Sequence, residues 1–359
     1  MEYLTIALYG AGKVGRELIK NTYNPNKFRY VAIADTSGVI VKKDSFNEEE
    51  LRTVVELKEN KGKVRDKQTI GDMSSNAVEL TFKYLKPDVF VDVSSTQSYD
   101  ILLNALDNGI HVMGSNKQPY SDTDFSQYQK LIKIANENKR NLDNRTTVSA
   151  NLGILTRVKE FVNTGGISRI DGCLSGTMAY ISHRINQLVP FSQALSESVE
   201  MGYTEPDERD DITGKDFKRK CVIIARQAGI PLELSMIQFV DIFPKEFLDL
   251  PLEEFRRRLP EFDDEIKEKV RKAQEKKCAY RFMGSLDFGK HRYEIGFKEI
   301  PLTDPQASVQ GCFNKVTIYP NAWNVESITI EGPGAGILPT MQGLLAGLYD
   351  IFELNNRIS

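Results

Sequence analysis

The chain has 359 residues, enough for two domains of about 100–200 residues each. Its 47 basic and 50 acidic side chains leave a formal net charge of −3, which argues against nucleic acid or an anionic membrane as the main partner. No run approaches the ~18 consecutive apolar residues of a membrane span, and Cys173, Cys221, Cys278 and Cys312 are scattered without metal spacing, so reduced thiols in a cytoplasmic protein without a metal centre are expected.

Residues 3–9 (YLTIALY) are an apolar run of strand character, with no basic leader before them. Gly10, Gly12 and Gly15 follow as G-x-G-x-x-G, interleaved with Ala11, Lys13 and Val14, and a helix carrying Val14, Leu18 and Ile19 opens there. A second strand, residues 30–34, ends at Asp35, twenty residues after Gly15. Strand, glycine turn, helix and acid in this order are the requirements of a dinucleotide fold. The glycines admit the pyrophosphate to the backbone, the helix N-terminus offers N–H groups, and the acid receives the ribose hydroxyls. Asp35 favours NAD, because a carboxylate repels a 2′-phosphate. Lys42 and Lys43, ordinarily solvated loop residues, leave NADP open.

Residues 48–67 are charged and partly helical. Strands are expected at 87–93 and 110–113, with a helix at 99–106 between them. Ligands of an open parallel sheet sit outside the carboxyl ends of its strands, which places the loops carrying Ser94, Ser95 and Thr96, and Asn116 and Lys117, at the cofactor; the three hydroxyls fit a helix cap equally well, and a lone loop lysine ordinarily faces solvent. A helix at 125–139 and a strand at 146–150 complete this domain. A helix at 156–162 and a strand at 170–174 follow. The latter runs into Ser175, Gly176 and Thr177, a turn that either binds an anionic substrate group or caps a helix.

Residues 202–220 (GYTEPDERDDITGKDFKRK) combine carboxylates with Gly, Tyr, Thr and Pro. The second half has helical periodicity through Phe217, Cys221, Ile224 and Ala228, with Asp211 or Thr213 as N-cap. Asp216 and Lys220 then lie four apart on one face, and Lys220 borders the apolar stripe. By residue type alone, an exposed charged loop followed by an ordinary helix with an intrahelical ion pair is favoured over a functional site, because ion-pair networks are common. Residues 247–277 read as an amphipathic surface helix. Strands are expected at 281–288, 293–297, 316–320 and 327–331, and a glycine-rich turn (Gly332, Gly334, Gly336) precedes an apolar helix at 340–352.

The pattern G-Y-T-E-P-D-x-R-D-D-[LI]-x-G-x-D-x-x-x-K over Gly202 to Lys220 resembles the signature of homoserine dehydrogenases, and the likeness extends through Asn116-Lys117, the S-G-T turn at Ser175 and the final G-x-G-A-G. The resemblance implies an α/β chain with two domains. One is an N-terminal Rossmann NAD(P)-binding domain (1–150, rejoined by a C-terminal helix, 337–359); the other is an α+β catalytic and dimerisation domain (151–336). It implies interconversion of L-homoserine and L-aspartate 4-semialdehyde with NAD or NADP, in threonine, methionine and isoleucine biosynthesis, by a homodimer. No fused aspartate kinase and no ACT domain are expected.

The resemblance further implies Lys220, Lys117 and Asp216 as catalytic residues, either lysine being able to serve as the acid. Glu205, Asp211, Thr177, Tyr203, Thr204 and Gly202 would hold the substrate. The cofactor would meet Gly10, Ala11, Gly12, Lys13, Val14, Gly15, Asp35, Ser94, Ser95, Thr96, Asn116, Lys117, Gly336 and Thr340. Asn151 and Gly153 depart from the family's G-A-G-L-P turn. Arg145 stands roughly where some relatives place a carboxylate beside a monovalent ion, so no ion is carried over. Two other functions remain open: a dehydrogenase of another small amino or hydroxy acid, and a non-catalytic dinucleotide sensor. The ionisable residues Lys117, Glu205, Asp211, Asp216 and Lys220 count against the sensor.

Overall fold

A computed structural model describes residues 3–66, 72–74, 78–321 and 326–358. Lys67, the end of the charged segment, lies outside them. The chain forms two compact units, Met1–Asn151 with Gly336–Ser359, and Leu152–Ala335.

The first unit begins β1 (Leu4–Tyr9), α1 (Lys13–Thr22), β2 (Phe28–Asp35), β3 (Gly38–Val41) and α2 (Glu48–Glu59). It continues with β4 (Asp72–Ser74), α3 (Val78–Leu85), β5 (Val89–Asp92), α4 (Tyr99–Asp107), β6 (His111–Gly114), α5 (Gln118–Ser121), α6 (Phe125–Glu137) and β7 (Leu142–Asp143). Its sheet has the order β4-β3-β2-β1-β5-β6-β7. The pairs β2-β1, β1-β5, β5-β6 and β6-β7 are parallel; β3 and β4 add antiparallel at the edge. Strand order therefore reverses beside β1, and the loops after β1 and β5 flank that switch point, where such sheets bind ligands. Leu344, Leu348 and Ile351 of the C-terminal helix (Ile337–Ile358) join Leu4, Ile6 and Leu18 in one buried cluster. The strand expected at 146–150 lies earlier, at β7. Arg145–Thr147 is a 3-10 turn, and Ser149 (φ 56°) and Ala150 (φ 52°) are left-handed, which no strand accommodates.

The second unit runs α7 (Ile154–Thr164), β8 (Ile167–Cys173), α8 (Gly176–Asn186), α9 (Phe191–Glu200), α10 (Arg209–Ile212), α11 (Lys215–Gln227) and β9 (Gln238–Val240). Then follow α12 (Lys245–Leu248), α13 (Leu252–Arg258), α14 (Asp263–Glu275), β10 (Cys278–Asp287), β11 (Arg292–Pro301), β12 (Phe313–Pro320) and β13 (Ile328–Pro333). Its sheet order is β13-β12-β8-β10-β11-β9, antiparallel except for β9 on β11. Helix α11 lies on this sheet over Gly284, where a Cβ would come within 3.0 Å of the Phe217 ring. A side chain at Gly284 would force the Phe217 ring to give by a few tenths of an ångström. The single surface helix expected at 247–277 is instead α13, a 3-10 turn and α14. Pro251 caps α13 and Pro260 opens the 3-10 turn, and neither residue can continue a helix.

Candidate active site

In the first unit the turn from β1 into α1 is built for close approach to the backbone. Gly10 has φ 109°, and a Cβ there would meet the Ser94 nitrogen at 2.7 Å. A Cβ at Gly15 would lie 2.1 Å from the Gly10 carbonyl oxygen. At Gly12, by contrast, nothing stands within 4 Å of the added carbon. Gly12 is the N-cap of α1, gives no side-chain cap, and no acid occupies the first turn, where Lys13 and Val14 sit. Two glycines close the turn against the protein while the third leaves it open toward the helix N-terminus. That arrangement fits a pyrophosphate, so the residues present suit NAD(P).

Asp35, at the end of β2, is already surrounded by donors. One oxygen accepts from the Ser37 N–H (2.7 Å) and hydroxyl (2.5 Å), the other from Lys58 Nζ (2.5 Å) and the Val64 N–H (3.1 Å). Burial pushes this carboxyl up, but Lys58, Ser37 and Val64 together hold it below the usual aspartate range. Lys42, weighed as a partner for a 2′-phosphate, is bound to Glu50 at 2.5 Å.

Asn116 is 5 % exposed. Its amide donates to Asp92 Oδ2 (3.0 Å), Ser94 Oγ (3.2 Å), Ser98 Oγ (3.1 Å) and the Thr96 carbonyl (2.7 Å), and its oxygen accepts from the Gln118 N–H (3.1 Å). It ties the loop after β5 to the loop after β6. Burial pushes the Asp92 carboxyl up, against the donors on Ser98, Ser94 and Asn116. Thr96 and Tyr9 share a hydrogen bond of 3.3 Å, while Ser95 is exposed and gives its carbonyl to Gln118. Lys117 precedes α5, and its carbonyl takes the Tyr120 and Ser121 N–H groups. Gly336 (φ 120°) opens the C-terminal helix and accepts from the Thr340 N–H.

In the second unit, Lys220 projects from α11 and is 5 % exposed. Its Nζ donates to the Leu174 carbonyl at 2.7 Å and pairs with Asp216 at 2.8 Å. The N-cap of α11 is neither Asp211 nor Thr213 but Gly214 in the left-handed region (φ 65°). Thr213 donates back to Arg209 within the preceding turn. A Cβ at Gly214 would lie 2.8 Å from the Phe239 ring, so the corner between α10 and α11 requires glycine twice over.

Leu174 leads into the Ser175 cap of α8, whose hydroxyl accepts from the Met178 N–H at 3.2 Å. Thr177 Oγ1 donates to the Tyr203 carbonyl at 2.7 Å, and Asp211 accepts from the Glu205 N–H at 2.9 Å. Burial pushes the Asp211 carboxyl up to about 6; Glu205 and Asp216 add to that, while the Glu205 N–H and Thr177 pull it back. Gly202 (φ 69°) and Glu205 are exposed and Thr204 is half-buried.

The ring of Tyr203 stands edge-on to Tyr180, with centroids 5.6 Å apart. Tyr180 donates to Glu197, which Arg184 grips through Nε at 2.8 Å and Nη2 at 2.9 Å. In the sequence Tyr180 stands out only as part of the run from Ser175 to Ile181 that resembles the family's S-G-T-L-x-Y-I, with no role given to it; Arg184 and Glu197 carry no signal beyond the i, i+4 spacing of Tyr180 and Arg184 on one helix.

Gly153 has φ 71°, which the ring of a proline forbids. Arg145 pairs with Asp143 at 2.8 Å and Asp350 at 2.7 Å. Among the described residues no group of three or more His, Cys, Asp or Glu could hold a metal, and no helix is long and apolar enough to cross a membrane.

Comparison with known proteins bears on both units. The family model for homoserine dehydrogenase matches residues 154–349, and that for the homoserine dehydrogenase NAD-binding domain matches residues 10–143. A homoserine dehydrogenase of Emericella nidulans is 31% identical over 73% of this chain and 73% of its own length. One from Schizosaccharomyces pombe is 28% identical over 98% of this chain and 96% of its own. The chain spans 42% of a bifunctional aspartokinase/homoserine dehydrogenase from Haemophilus influenzae. A Candida auris protein of unknown function has the same fold, with a TM-score of 0.85 at 26% identity over 98% of this chain and 99% of that one. With both family models matched in order and a relative above 30% identity over most of its length, the chain belongs to the homoserine dehydrogenase family of NAD(P)-dependent oxidoreductases.

Proposed function

We propose that the chain interconverts L-homoserine and L-aspartate 4-semialdehyde with NAD(P), as a cytoplasmic homodimer in threonine, methionine and isoleucine biosynthesis. The observation that carries the chemistry is Lys220, a buried ammonium held by the Leu174 carbonyl and Asp216. Two of its three protons are thus engaged, and its orientation is fixed before substrate arrives. When bound, NAD(P) exchanges the hydride. In the reductive direction the Lys220 ammonium gives a proton to the developing alkoxide and is left as the neutral amine; in oxidation the neutral amine takes the hydroxyl proton of homoserine and becomes the ammonium. Asp216 holds Lys220 in place. Asp211 and Glu205 receive the substrate ammonium, and the Thr177 hydroxyl fixes the backbone at Tyr203, two residues before Glu205. Lys117 and the loop at Ser94 to Thr96 belong to the nucleotide side.

We assign the 2′ position of the nucleotide to the neighbourhood of Lys58 rather than to Lys42 or Lys43. The bond from Lys58 offsets the Asp35 charge that would repel a 2′-phosphate, so both NAD and NADP are accepted. Oxidation of L-homoserine at alkaline pH, followed by reduced-cofactor absorbance with each nucleotide in parallel, tests the reaction. Sedimentation velocity tests the dimer.

A further inference from the structure

Seven residues, Glu205 to Asp211, carry the carboxylates assigned to the substrate ammonium, yet they form almost no regular structure before α10. Two arginines hold them. Glu208 is 1 % exposed, and its carboxylate takes a forked bond from Arg256 of α13, Nε to Oε1 at 2.7 Å and Nη2 to Oε2 at 2.9 Å. Burial pushes the Glu208 carboxyl up, and Arg256 more than reverses this, holding it below the usual glutamate range. Arg209, the next residue, grips Asp207 through Nε at 2.8 Å and Nη2 at 2.5 Å. With Nη1 it caps the end of α12, donating to the Leu248 and Leu250 carbonyls at 2.9 and 2.5 Å.

The platform on the far side of these bonds is packed by aromatic rings. Phe243, Phe247, Phe255 and Phe262 pack with ring centroids 4.6 to 6.4 Å apart, and Phe243 reaches Phe191 of α9 at 5.2 Å. Pro251, which ends the run before α13, makes α12 and α13 two short helices instead of one, so that Arg209 finds a helix end and Arg256 a separate helix. A forked pair between a buried carboxylate and a partly exposed guanidinium contributes little net stability, but it fixes geometry. Its position therefore argues for alignment of the loop.

We infer that Arg256, with Glu208, is a positioning residue that sets the affinity for the amino-acid substrate by clamping the loop from Glu205 to Asp211 onto α12 and α13. This rests on the substrate role proposed for that loop. The clamp touches neither the nucleotide turn nor Lys220, so it acts on substrate affinity and leaves turnover alone. A merely structural pair would, on removal, lower the amount of active enzyme without moving KM.

The test is steady-state oxidation of L-homoserine by the full chain carrying Arg256→Met, and by the double variant Glu208→Leu/Arg256→Met. The double variant leaves no buried charge unpaired and decides the matter if the single variant does not fold. The expected result is a KM for L-homoserine raised about tenfold or more, with kcat within about threefold and NADPH affinity by fluorescence titration unchanged. Amide exchange over residues 203–211 speeds up in parallel. Asp211→Ala is the reference. If it raises KM while the double variant keeps the wild-type value, the clamp is wrong and the loop's substrate role stands. If neither variant changes KM, the substrate role falls and the clamp falls with it.

Discussion

Lys58 Nζ lies 2.5 Å from Asp35 Oδ2, joining the middle of α2's last turn to the end of β2 across 23 residues of sequence. The same ammonium donates to the Gly62 carbonyl at 2.9 Å, which anchors it from a second side. The acid that in many dinucleotide folds stands ready for ribose hydroxyls here has all its acceptor positions occupied by protein donors.

Lys58→Ala should therefore weaken NADP(H) binding by about tenfold, or ~1.4 kcal/mol, with a smaller effect on NAD(H). Asp35→Ala should change the ratio of the two affinities by less than Lys58→Ala does. Fluorescence titration with NADPH and NADH reads both. A Lys58→Ala protein with unchanged NADPH affinity would place the 2′ group elsewhere.

Asp211 gives a pH dependence of definite sign. Its carboxyl must be ionised to meet the substrate ammonium, and burial pushes it up to about 6. kcat/KM for L-homoserine should fall as pH drops through about 6, a limb that Asp211→Asn removes together with much of the affinity. Stability moves the opposite way. An acid raised in the folded state binds more protons there than in the unfolded chain, so folding gains stability as pH falls from about 6 toward the ordinary aspartate range. Asp211→Asn should flatten that gain in urea titrations at successive pH values.

Asn116 bears on order rather than contact. Replacing it by Leu leaves Asp92 and the Thr96 carbonyl short of a donor inside the first unit, at a cost of about 1–3 kcal/mol. Thermal denaturation should show the loss, and NAD(P) affinity should weaken as the loop after β5 loosens. Full stability in the variant would mean that water replaces the amide.

Gly15→Ala puts a carbon 2.1 Å from the Gly10 carbonyl, where only backbone can yield. The turn should open and nucleotide binding be lost, with a destabilisation of about 1–3 kcal/mol. Gly12→Ala meets no protein atom within 4 Å and should keep its stability while still impairing nucleotide binding.

The start of the first unit, from β1 through α1 to β2, was legible because its signals are local: an apolar run, a glycine turn and an acid all fall within Leu4 to Asp35, whereas the short edge strands β3 and β4 carried no such signal. The α11 stripe through Phe217, Cys221 and Ile224 was legible for the same reason. Longer reach was not. Lys58 meets Asp35 only because α2 folds back beside β2, and Lys220 meets the Leu174 carbonyl 46 residues away, an acceptor with no side-chain signature. The N-cap at Gly214 escaped because Asp211 and Thr213 are better cappers by composition. The sheet contact at Phe239 selects glycine instead. The strand at 142–143 escaped because it is two residues long, while the more apolar stretch after it turns left-handed at Ser149.

The central claim is that Lys220 exchanges the substrate proton. The direct test is the initial rate of L-homoserine oxidation by Lys220→Ala against wild type, at saturating nucleotide, with NADPH binding measured on the same samples. We predict a rate lower by about 10²–10⁴-fold with nucleotide affinity intact. A variant that binds nucleotide and oxidises L-homoserine at close to the wild-type rate would contradict the account.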